Sequence, residues 1–241
     1  MKHSFKTYVI DFFLPPRCVI CSKVIRAGES MCKFCYDQIF DTAKINQIMI
    51  SNEAFQGICF TVYSYEDKIQ MSIIDFKFHN KPDYAKFFGD RFADVLRDEK
   101  RVNGCDFITA VPISAERFRT RGYNQSALLA KRVSEHLKIP YLDCLEKYKH
   151  NETQHDLDYE ERKQNVKNTY RVIHQGKIQS KTILLLDDIV TTGFTLAECA
   201  SVLMHGGARK VVCCALAERK LEKHSNVDPF MHEYNEKCEN Y

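Results

Sequence analysis

Residues 184–195 read LLLDDIVTTGFT, and this stretch decides the fold. Three leucines end an apolar run, and the acid pair Asp187 and Asp188 follows at once. A short turn containing Gly193 then leads into residues 195–205, whose apolar positions have helical spacing. An apolar run that stops at polar residues and a glycine turn, with a helical pattern directly after it, predicts a buried strand followed by a helix.

The same alternation of strand and helix extends outward through the chain. Predicted strands cover 57–65, 106–112, 170–173, 182–186 and 210–216, and predicted helices cover 36–50, 67–78, 83–97, 124–137 and 195–205. Because these strands are apolar throughout and alternate with helices, they predict an α/β fold with a mostly parallel sheet covered by helices on both faces. Ligands bind beyond the carboxyl ends of such strands, which directs attention to 113–123 and 187–195.

The acid pair and the loop after it predict a sugar phosphate site. Adjacent carboxylates are costly to bury, so Asp187 and Asp188 are expected to face a polyhydroxyl ligand, a divalent cation or both. A glycine turn into a helix N-terminus presents several backbone N–H groups to one point and suits a phosphate. The loop residues are Thr191, Thr192, Gly193, Phe194 and Thr195. The alternative is a helix N-cap beside two solvated aspartates, which leaves the two threonines and the glycine unexplained.

Two basic segments are further candidates for anion contacts. Residues 111–125 read VPISAERFRTRGYNQ, and a loop carrying Arg117, Arg119 and Arg121 suits the oxygens of a pyrophosphate. Residues 75–81 read DFKFHNK, in which Lys77 belongs to a mobile basic segment that closes over the ligand or to an aromatic and basic surface for single strands. The alternatives are a solvated basic loop and the solvated end of an amphipathic helix.

Eleven cysteines cannot all form internal disulfides, and their distribution separates them into two groups. Four of them spell C-x2-C-x10-C-x2-C, namely Cys18, Cys21, Cys32 and Cys35. Two C-x2-C pairs complete a tetrahedral set of ligands for a structural Zn²⁺, since all four positions are filled by protein. Two redox-active or disulfide pairs are the alternative. The seven scattered cysteines are predicted to fill the core as small apolar residues.

Composition bounds the remaining possibilities. The chain has 241 residues, of which 44% are hydrophobic and 28% charged, so it can bury a core. A net charge of +3 gives no overall basic field of the kind found on dedicated nucleic-acid binders. No apolar run approaches the roughly 18 residues of a membrane span. Residues 1–16 lack the pattern of a signal peptide, so we expect a cytoplasmic protein.

Together these motifs resemble the ComF family. The resemblance covers residues 8–218 and rests on the four cysteines, the arginine-rich segment, the phosphoribosyl pyrophosphate (PRPP) motif at 184–195, and an intervening pattern formed by Thr153, Gln154, Leu157, Arg162, Asn165 and Val166. Position 156 is Asp where the family often has glycine. The resemblance implies a type I phosphoribosyltransferase fold, Asp187 and Asp188 on the ribose hydroxyls, residues 191–195 on the 5′-phosphate, and Mg²⁺ bound with PRPP.

The resemblance also implies two functional hypotheses. The first is a PRPP-binding or ribose 5-phosphate-binding protein of natural competence that handles incoming single-stranded DNA together with competence proteins. The second is an active Mg²⁺-dependent phosphoribosyltransferase with an unidentified acceptor. The expected division of the chain is an N-terminal helix and zinc module at 1–50, a phosphoribosyltransferase-like domain at 51–220 and a polar tail at 221–241.

Overall fold

The structure, a computed structural model, describes residues 15–39, 42–149 and 166–220. Seven strands and eight helices occur in these residues. The strands are β1 (Asn46–Ser51), β2 (Gln56–Ser64), β3 (Phe107–Ala110), β4 (Leu145–Lys147), β5 (Tyr170–Val172), β6 (Thr182–Val190) and β7 (Lys210–Glu218). The helices are α1 (Lys33–Ile39), α2 (Asp67–Phe78), α3 (Tyr84–Leu96), α4 (Lys100–Asn103), α5 (Ala115–Arg121), α6 (Gln125–Leu137), α7 (Gln175–Ile178) and α8 (Phe194–His205).

Five strands form the main sheet in the order β1-β2-β7-β6-β3. Strands β2, β7, β6 and β3 are parallel, and β1 pairs antiparallel with β2 at one edge. Strands β4 and β5 form a separate antiparallel pair. The carboxyl ends of the four parallel strands therefore meet at one edge of the sheet, as the sequence predicts for a fold of this class.

Apolar side chains cover both faces of the sheet. In β6, Leu184 and Leu186 join a cluster with α2, α3 and α6, whereas Ile183 and Leu185 join a cluster with α8 and the β4–β5 pair. A strand buried on both faces needs a continuous apolar run rather than alternation, which explains the sequence of β6. The four-cysteine segment packs on the α2–α3–α6 side, where Val19 and Ile20 are buried in the same cluster.

The scattered cysteines of the described residues are core residues, as predicted. All six are buried, and burial raises the pKa of each thiol above its ordinary value; they are Cys59, Cys105, Cys144, Cys199, Cys213 and Cys214. Cys238 lies outside the described residues. Buried thiols with raised pKa values are poor nucleophiles, so they act as apolar packing groups.

The predicted helix at 36–50 is wrong in its second half. Helix α1 ends at Ile39, and Asn46–Ser51 forms β1, whose side chains alternate in exposure. The Asn52 side chain closes the β1–β2 turn by accepting the backbone N–H groups of Ala54 and Phe55 at 2.9 and 2.7 Å. The expected boundary at residue 50 therefore falls inside a strand of the main sheet, and we propose to place it before Asn46.

The prediction of a loop around the three arginines is wrong as well, because these residues form helix α5. Ser114 caps α5 by accepting the backbone N–H of Arg117 at 3.2 Å, and Gly122 ends it with φ of +77° while its N–H bonds to the Phe118 carbonyl. A serine before the first turn and a glycine after the last are ordinary signals of helix ends. Within the residues that the structure describes, no helix is long and apolar enough to cross a bilayer.

Candidate sugar phosphate site and zinc module

The acid pair lies within β6 rather than after it. The strand continues to Val190, and Asp187 pairs in register with Ala215 of the neighbouring strand β7. The strand ends because the next three residues turn towards helix α8, which begins at Phe194. The pair lies just before the carboxyl end of the strand. Both carboxylates are therefore held by a rigid element, at the edge where ligands bind in sheets of this class.

Asp187 is held by two hydrogen bonds on one oxygen. Its Oδ1 accepts the Ser126 hydroxyl at 2.8 Å and the backbone N–H of Asp188 at 2.8 Å. Burial and the adjacent Asp188 raise the pKa of Asp187 to about 7, while the Ser126 hydrogen bond and Lys77 act in the opposite direction. This carboxyl therefore holds its proton more tightly than an ordinary aspartate does.

Asp188 forms an ion pair with Lys77 at the end of α2. The distance from Lys77 Nζ to Asp188 Oδ1 is 2.9 Å, and both side chains are mostly buried, with exposures of 16% and 11%. One cation therefore offsets part of the charge of the acid pair. The ion pair also joins the end of α2 to the strand that carries both acids.

The turn after the acids brings the backbone of Gly193 close to the Ile50 side chain of β1. Gly193 has φ of +77°, a conformation that suits glycine, and an added Cβ would lie 2.4 Å from Ile50 Cγ2. Thr191, Thr192 and Thr195 are partly exposed. Phe194 is 7% exposed, so its side chain is turned into the protein and only its backbone remains for a ligand. The loop thus offers hydroxyls and amides rather than apolar surface.

The three arginines of α5 do not share one environment. Arg121 lies 4.6 Å from the centroid of the Phe78 ring and donates to Gln125 Oε1 at 3.3 Å. Arg117 is exposed but lines a pocket with Arg121, whereas Arg119 is exposed and is not part of that pocket. The reason is helical spacing, since residues two apart point to opposite sides of a helix.

The segment that follows α5 forms hydrogen bonds both to the end of α2 and to Asp187. The Tyr123 hydroxyl donates to the Phe76 carbonyl at 2.5 Å, and Gln125 Nε2 donates to the Lys77 carbonyl at 3.2 Å. Both bonds fix the end of α2, and the next residue, Ser126, holds Asp187. The sequence does not predict the roles of Tyr123, Gln125 and Ser126, although Tyr123 and Gln125 lie within the segment 111–125 and Ser126 directly follows it.

The four cysteines of the N-terminal module converge on one point. Their Sγ atoms all lie within 4.8 Å of one another, with 3.7 Å between Cys21 and Cys32. Cys18 and Cys35 are fully buried. Four sulfur ligands from the protein fit a tetrahedral Zn²⁺ and leave no position open for a substrate, so the donor set suits a structural ion.

Known protein families match both the region of the acid pair and the four-cysteine module. The family models "Phosphoribosyl transferase domain" and "Double zinc ribbon domain" match residues 124–235 and 9–46. Competence protein F of Haemophilus influenzae is 31% identical over 158 residues, which make up 64% of this chain and 69% of that protein. The chain belongs to the ComF family.

Further matches to this ComF-family chain have lower sequence identity. DNA utilization protein YhgH of Escherichia coli strain K12 is 28% identical over 199 residues, which are 80% of this chain and 86% of the relative. A solved structure of the allosteric regulatory enzyme of purine biosynthesis is 19% identical with a TM-score of 0.42 and covers 70% of this chain, which spans only 35% of that one.

The family model and the topology agree on a type I phosphoribosyltransferase fold, with a mostly parallel sheet and an N-terminal four-cysteine cluster. The zinc ribbon match and the convergence of the four sulfurs support a structural zinc ion. Most of the ComF pattern between the two halves of the fold, at Thr153, Gln154, Leu157, Arg162 and Asn165, lies outside the described residues.

Proposed function

We propose that this ComF-family chain binds PRPP or a related ribose 5-phosphate and acts in the cytoplasmic handling of incoming single-stranded DNA during natural competence. The observation that carries the proposal is the acid pair of β6, followed directly by a hydroxyl-rich turn and the N-terminus of α8. Asp187 and Asp188 hold the ribose hydroxyls. The phosphate lies against the turn formed by Thr191, Thr192, Gly193, Phe194 and Thr195, where backbone N–H groups and the helix dipole favour an anion.

The acid pair retains acceptor capacity for a ligand or a cation. Both hydrogen bonds to Asp187 fall on Oδ1, and the Lys77 ion pair to Asp188 also falls on Oδ1. The described residues supply no hydrogen bond to either Oδ2 atom. Mg²⁺ prefers carboxylate and phosphate oxygens, so we propose that it binds together with PRPP at these acids.

Lys77, Arg117, Arg119 and Arg121 are the proposed contacts to the pyrophosphate or to DNA. Lys77 pairs with Asp188, and the charge of Asp188 raises the pKa of Arg121 against the effect of burial, which favours both cations for the charged part of a bound PRPP. Arg119 is exposed, which favours it for a DNA backbone passing over the surface. The DNA role draws support from relatives that are named a competence protein and a DNA utilization protein.

A second candidate function is an active phosphoribosyltransferase, which transfers the phosphoribosyl group from PRPP to an acceptor. A groove of about 1500 Å³ favours it, because this groove adjoins the carboxyl ends of β2 and β7, at Ser64 and Glu218. The acid pair lies at the same edge of the sheet, although neither aspartate lines the groove. The groove also contacts the zinc module at Ile20 and Cys21.

Calorimetry with PRPP and Mg²⁺ tests the binding site. The wild type is compared with the double variant Asp187→Asn, Asp188→Asn, which removes two charges but keeps the shape of both side chains. Asp98→Asn, Asp143→Asn is the matched control, since both of its acids are exposed. We expect the first variant to lose at least tenfold in affinity and the control to bind as the wild type does. Equal binding by all three proteins would refute the site.

Two further assays separate the functions. Release of pyrophosphate from PRPP in the presence of single nucleobases or ammonia tests the enzyme, and silence with every acceptor counts against it. Fluorescence anisotropy with a labelled thymidine oligonucleotide at low salt tests DNA handling. Affinity that falls steeply with salt is expected for phosphate contacts, and negligible affinity at low salt removes this part of the proposal.

A further inference from the structure

An exposed aromatic ring on the zinc module lies between two lysines. Phe34, in the first turn of α1, is 61% exposed, although it follows Cys32 closely and directly precedes the buried Cys35. The Nζ atom of Lys23 lies 6.0 Å from the centroid of this ring, and the Nζ atom of Lys68 lies 5.0 Å from it. Lys23 belongs to the zinc module and Lys68 to α2. We refer to these three side chains together as the Phe34 platform.

Neither lysine of the platform forms an ion pair within the part of the chain that the structure describes. Lys68 donates to the neutral side-chain amide of Gln38. The acids nearest in sequence, Asp37 and Asp67, are exposed and form no ion pair with Lys23 or Lys68. The ring attracts both ammonium groups through its negative face, but it does not neutralise them. Two positive charges therefore remain available to an anion on either side of an open ring.

The backbone beneath the platform is held by buried contacts. The Lys23 carbonyl accepts the backbone N–H of Cys18 at 2.8 Å, which closes the turn between the first two cysteines. Ser72, one helical turn after the second lysine, donates its hydroxyl to the Val19 carbonyl at 2.7 Å, and both residues are buried. This bond joins α2 to the zinc module. The two lysines are thus carried by elements whose relative position is fixed before a ligand binds, which lowers the entropy cost of binding.

The platform lies at the rim of the groove of about 1500 Å³, since Lys68 and Gln38 both line it. Met71, an exposed residue three positions after Lys68, extends the apolar surface along the same face of α2. Acids outnumber lysines in the lining of the groove. The acids are Glu66, Asp67, Asp75 and Glu218, and the lysines are Lys44, Lys68 and Lys220. A polyanion is therefore favoured at the rim, on the platform, over the interior of the groove.

The combination of an open ring and two cations selects the ligand. Single strands bind to proteins by stacking bases on aromatic rings and placing phosphates on nearby cations. A duplex hides the faces of its bases, and an acidic peptide uses the cations but not the ring. We infer that the Phe34 platform binds single-stranded DNA, with one base on Phe34 and the flanking phosphates on Lys23 and Lys68. This inference rests on the proposed handling of single-stranded DNA, and it adds a surface that shares no residue with the acid pair or its loop.

Tryptophan substitution tests the stacking directly, because the chain contains no tryptophan. Phe34→Trp places a single indole on the platform. Phe118→Trp is the matched control, since Phe118 is 53% exposed and lies on α5 beside Arg119. The emission of each full-length variant is measured while a thymidine oligonucleotide is added at low salt. We expect stacking to quench about half of the emission of Phe34→Trp, with little change in Phe118→Trp and none in either variant with an abasic oligonucleotide. Quenching in Phe118→Trp alone would overturn the inference.

Fluorescence anisotropy with the same oligonucleotide measures the contribution of each group. Phe34→Leu keeps an apolar side chain but removes the ring, and we expect about tenfold weaker binding. Lys68→Gln removes one phosphate contact, so the slope of log affinity against log salt should fall by roughly 0.7. Phe118→Leu and Lys100→Gln, which change an exposed ring and an exposed lysine elsewhere, should match the wild type. Equal losses in the platform variants and these controls would contradict the assignment.

Binding of PRPP with Mg²⁺, measured by calorimetry, separates this inference from the proposed function. Phe34→Leu should bind PRPP as the wild type does. If the oligonucleotide binds equally well to Phe34→Leu and is lost in Arg119→Gln, the DNA part of the proposed function stands and the platform is wrong. If the wild type binds the oligonucleotide through Phe34 but does not bind PRPP, the platform stands and the PRPP part of the proposed function fails. Zinc content and circular dichroism confirm that each variant is folded.

Discussion

Two regions of the protein crowd charges of opposite sign. The acid-pair loop comprises residues 187–195, and the basic pocket is formed by Arg117, Arg121 and Lys147 around Phe78. In the loop, two carboxylates are crowded together, but Ser126 and Lys77 compensate them. In the pocket, three cations are crowded together and the described residues offer them no carboxylate within ion-pair distance. Partners within the chain thus compensate part of the charge of the first region, whereas no carboxylate of the described residues pairs with the cations of the second.

The two regions also differ in how closely their backbone is packed. One glycine in each region shows this difference. Gly193 in the loop and Gly122 at the end of α5 both have φ of +77°. An added Cβ at Gly193 meets Ile50 Cγ2 at 2.4 Å, but an added Cβ at Gly122 meets nothing within 4 Å. Gly193→Ala therefore combines backbone strain with overpacking and is expected to cost about 2–4 kcal/mol of unfolding free energy in urea.

Gly122→Ala is the matched control for this first prediction. It carries the backbone strain alone and is expected to cost about 1 kcal/mol. The difference between the two variants measures how tightly the loop is packed against β1. Equal costs in the two variants would show that the loop accommodates a side chain and is not the more rigid region.

Breaking the ion pair that compensates the acids is expected to have the second-largest effect. Lys77→Met keeps the apolar stem of the side chain but leaves Asp188 beside Asp187 without its closest cation. Because the pair is mostly buried, we expect a loss of about 1–3 kcal/mol in urea unfolding at pH 8. Lys181→Met breaks an ion pair with Asp106 whose side chains are 48% and 33% exposed, and it should cost at most about 0.5 kcal/mol. A larger loss at Lys181 would contradict this account of the acid pair.

The two regions also differ in how far the sequence predicts them. The acid-pair loop is contiguous, so strand, acids, glycine turn and helix can be recognised in twelve residues. The basic pocket brings together Phe78, α5 and Lys147, and nothing in the local sequence indicates that these segments meet. The four cysteines resemble the loop in this respect, because fixed spacing alone predicts their convergence.

The errors in secondary structure have local causes. The sequence predicts a helix where β1 forms because apolar residues in a short segment satisfy either period, and only pairing with β2 decides between them. The sequence predicts a loop where α5 forms, although Ser114 and Gly122 mark the ends of this helix. That error matters for function, since a loop can aim three arginines at one ligand, whereas a helix separates Arg119 from Arg117 and Arg121.

The third prediction uses pH to isolate the remaining strain in the acid pair. The pKa of Asp187 is raised from 3.8 to about 7, so the folded state holds this proton more tightly than the unfolded chain does. The resulting stabilisation is complete below about pH 4 and is lost as the pH rises through about 7. Asp187→Asn keeps an Oδ1 that can accept from Ser126, and we expect it to be about 1–2 kcal/mol more stable than the wild type at pH 8.

The measurement is urea unfolding from pH 5 to pH 8 in the absence of ligands. The variant should lose less stability over this range than the wild type, while the exposed control Asp98→Asn should follow the wild-type curve. Parallel curves for Asp187→Asn and the wild type would mean that Asp187 is ionised with an ordinary pKa, and that the acid pair is fully compensated without a ligand.

The smallest expected effect tests the strain of the basic pocket in the ligand-free protein. Lys147→Gln removes repulsion from Arg117 and Arg121, which stabilises the fold. It also removes the contact of the ammonium group with the Tyr170 ring, which destabilises the fold, so the two effects oppose each other at any one salt concentration. Salt separates the two contributions, since repulsion between separated charges is screened at 1 M, where the Debye length is about 3 Å, and a short-range ring contact is screened less. We therefore measure the free energy of unfolding of the variant minus that of the wild type, in buffers free of phosphate and sulfate. This difference should be about 0.5 kcal/mol more favourable to the variant at low salt than at 1 M sodium chloride. Lys149→Gln should show no such dependence, and a Lys147→Gln difference that is independent of salt would mean that the pocket is not strained by its own charges.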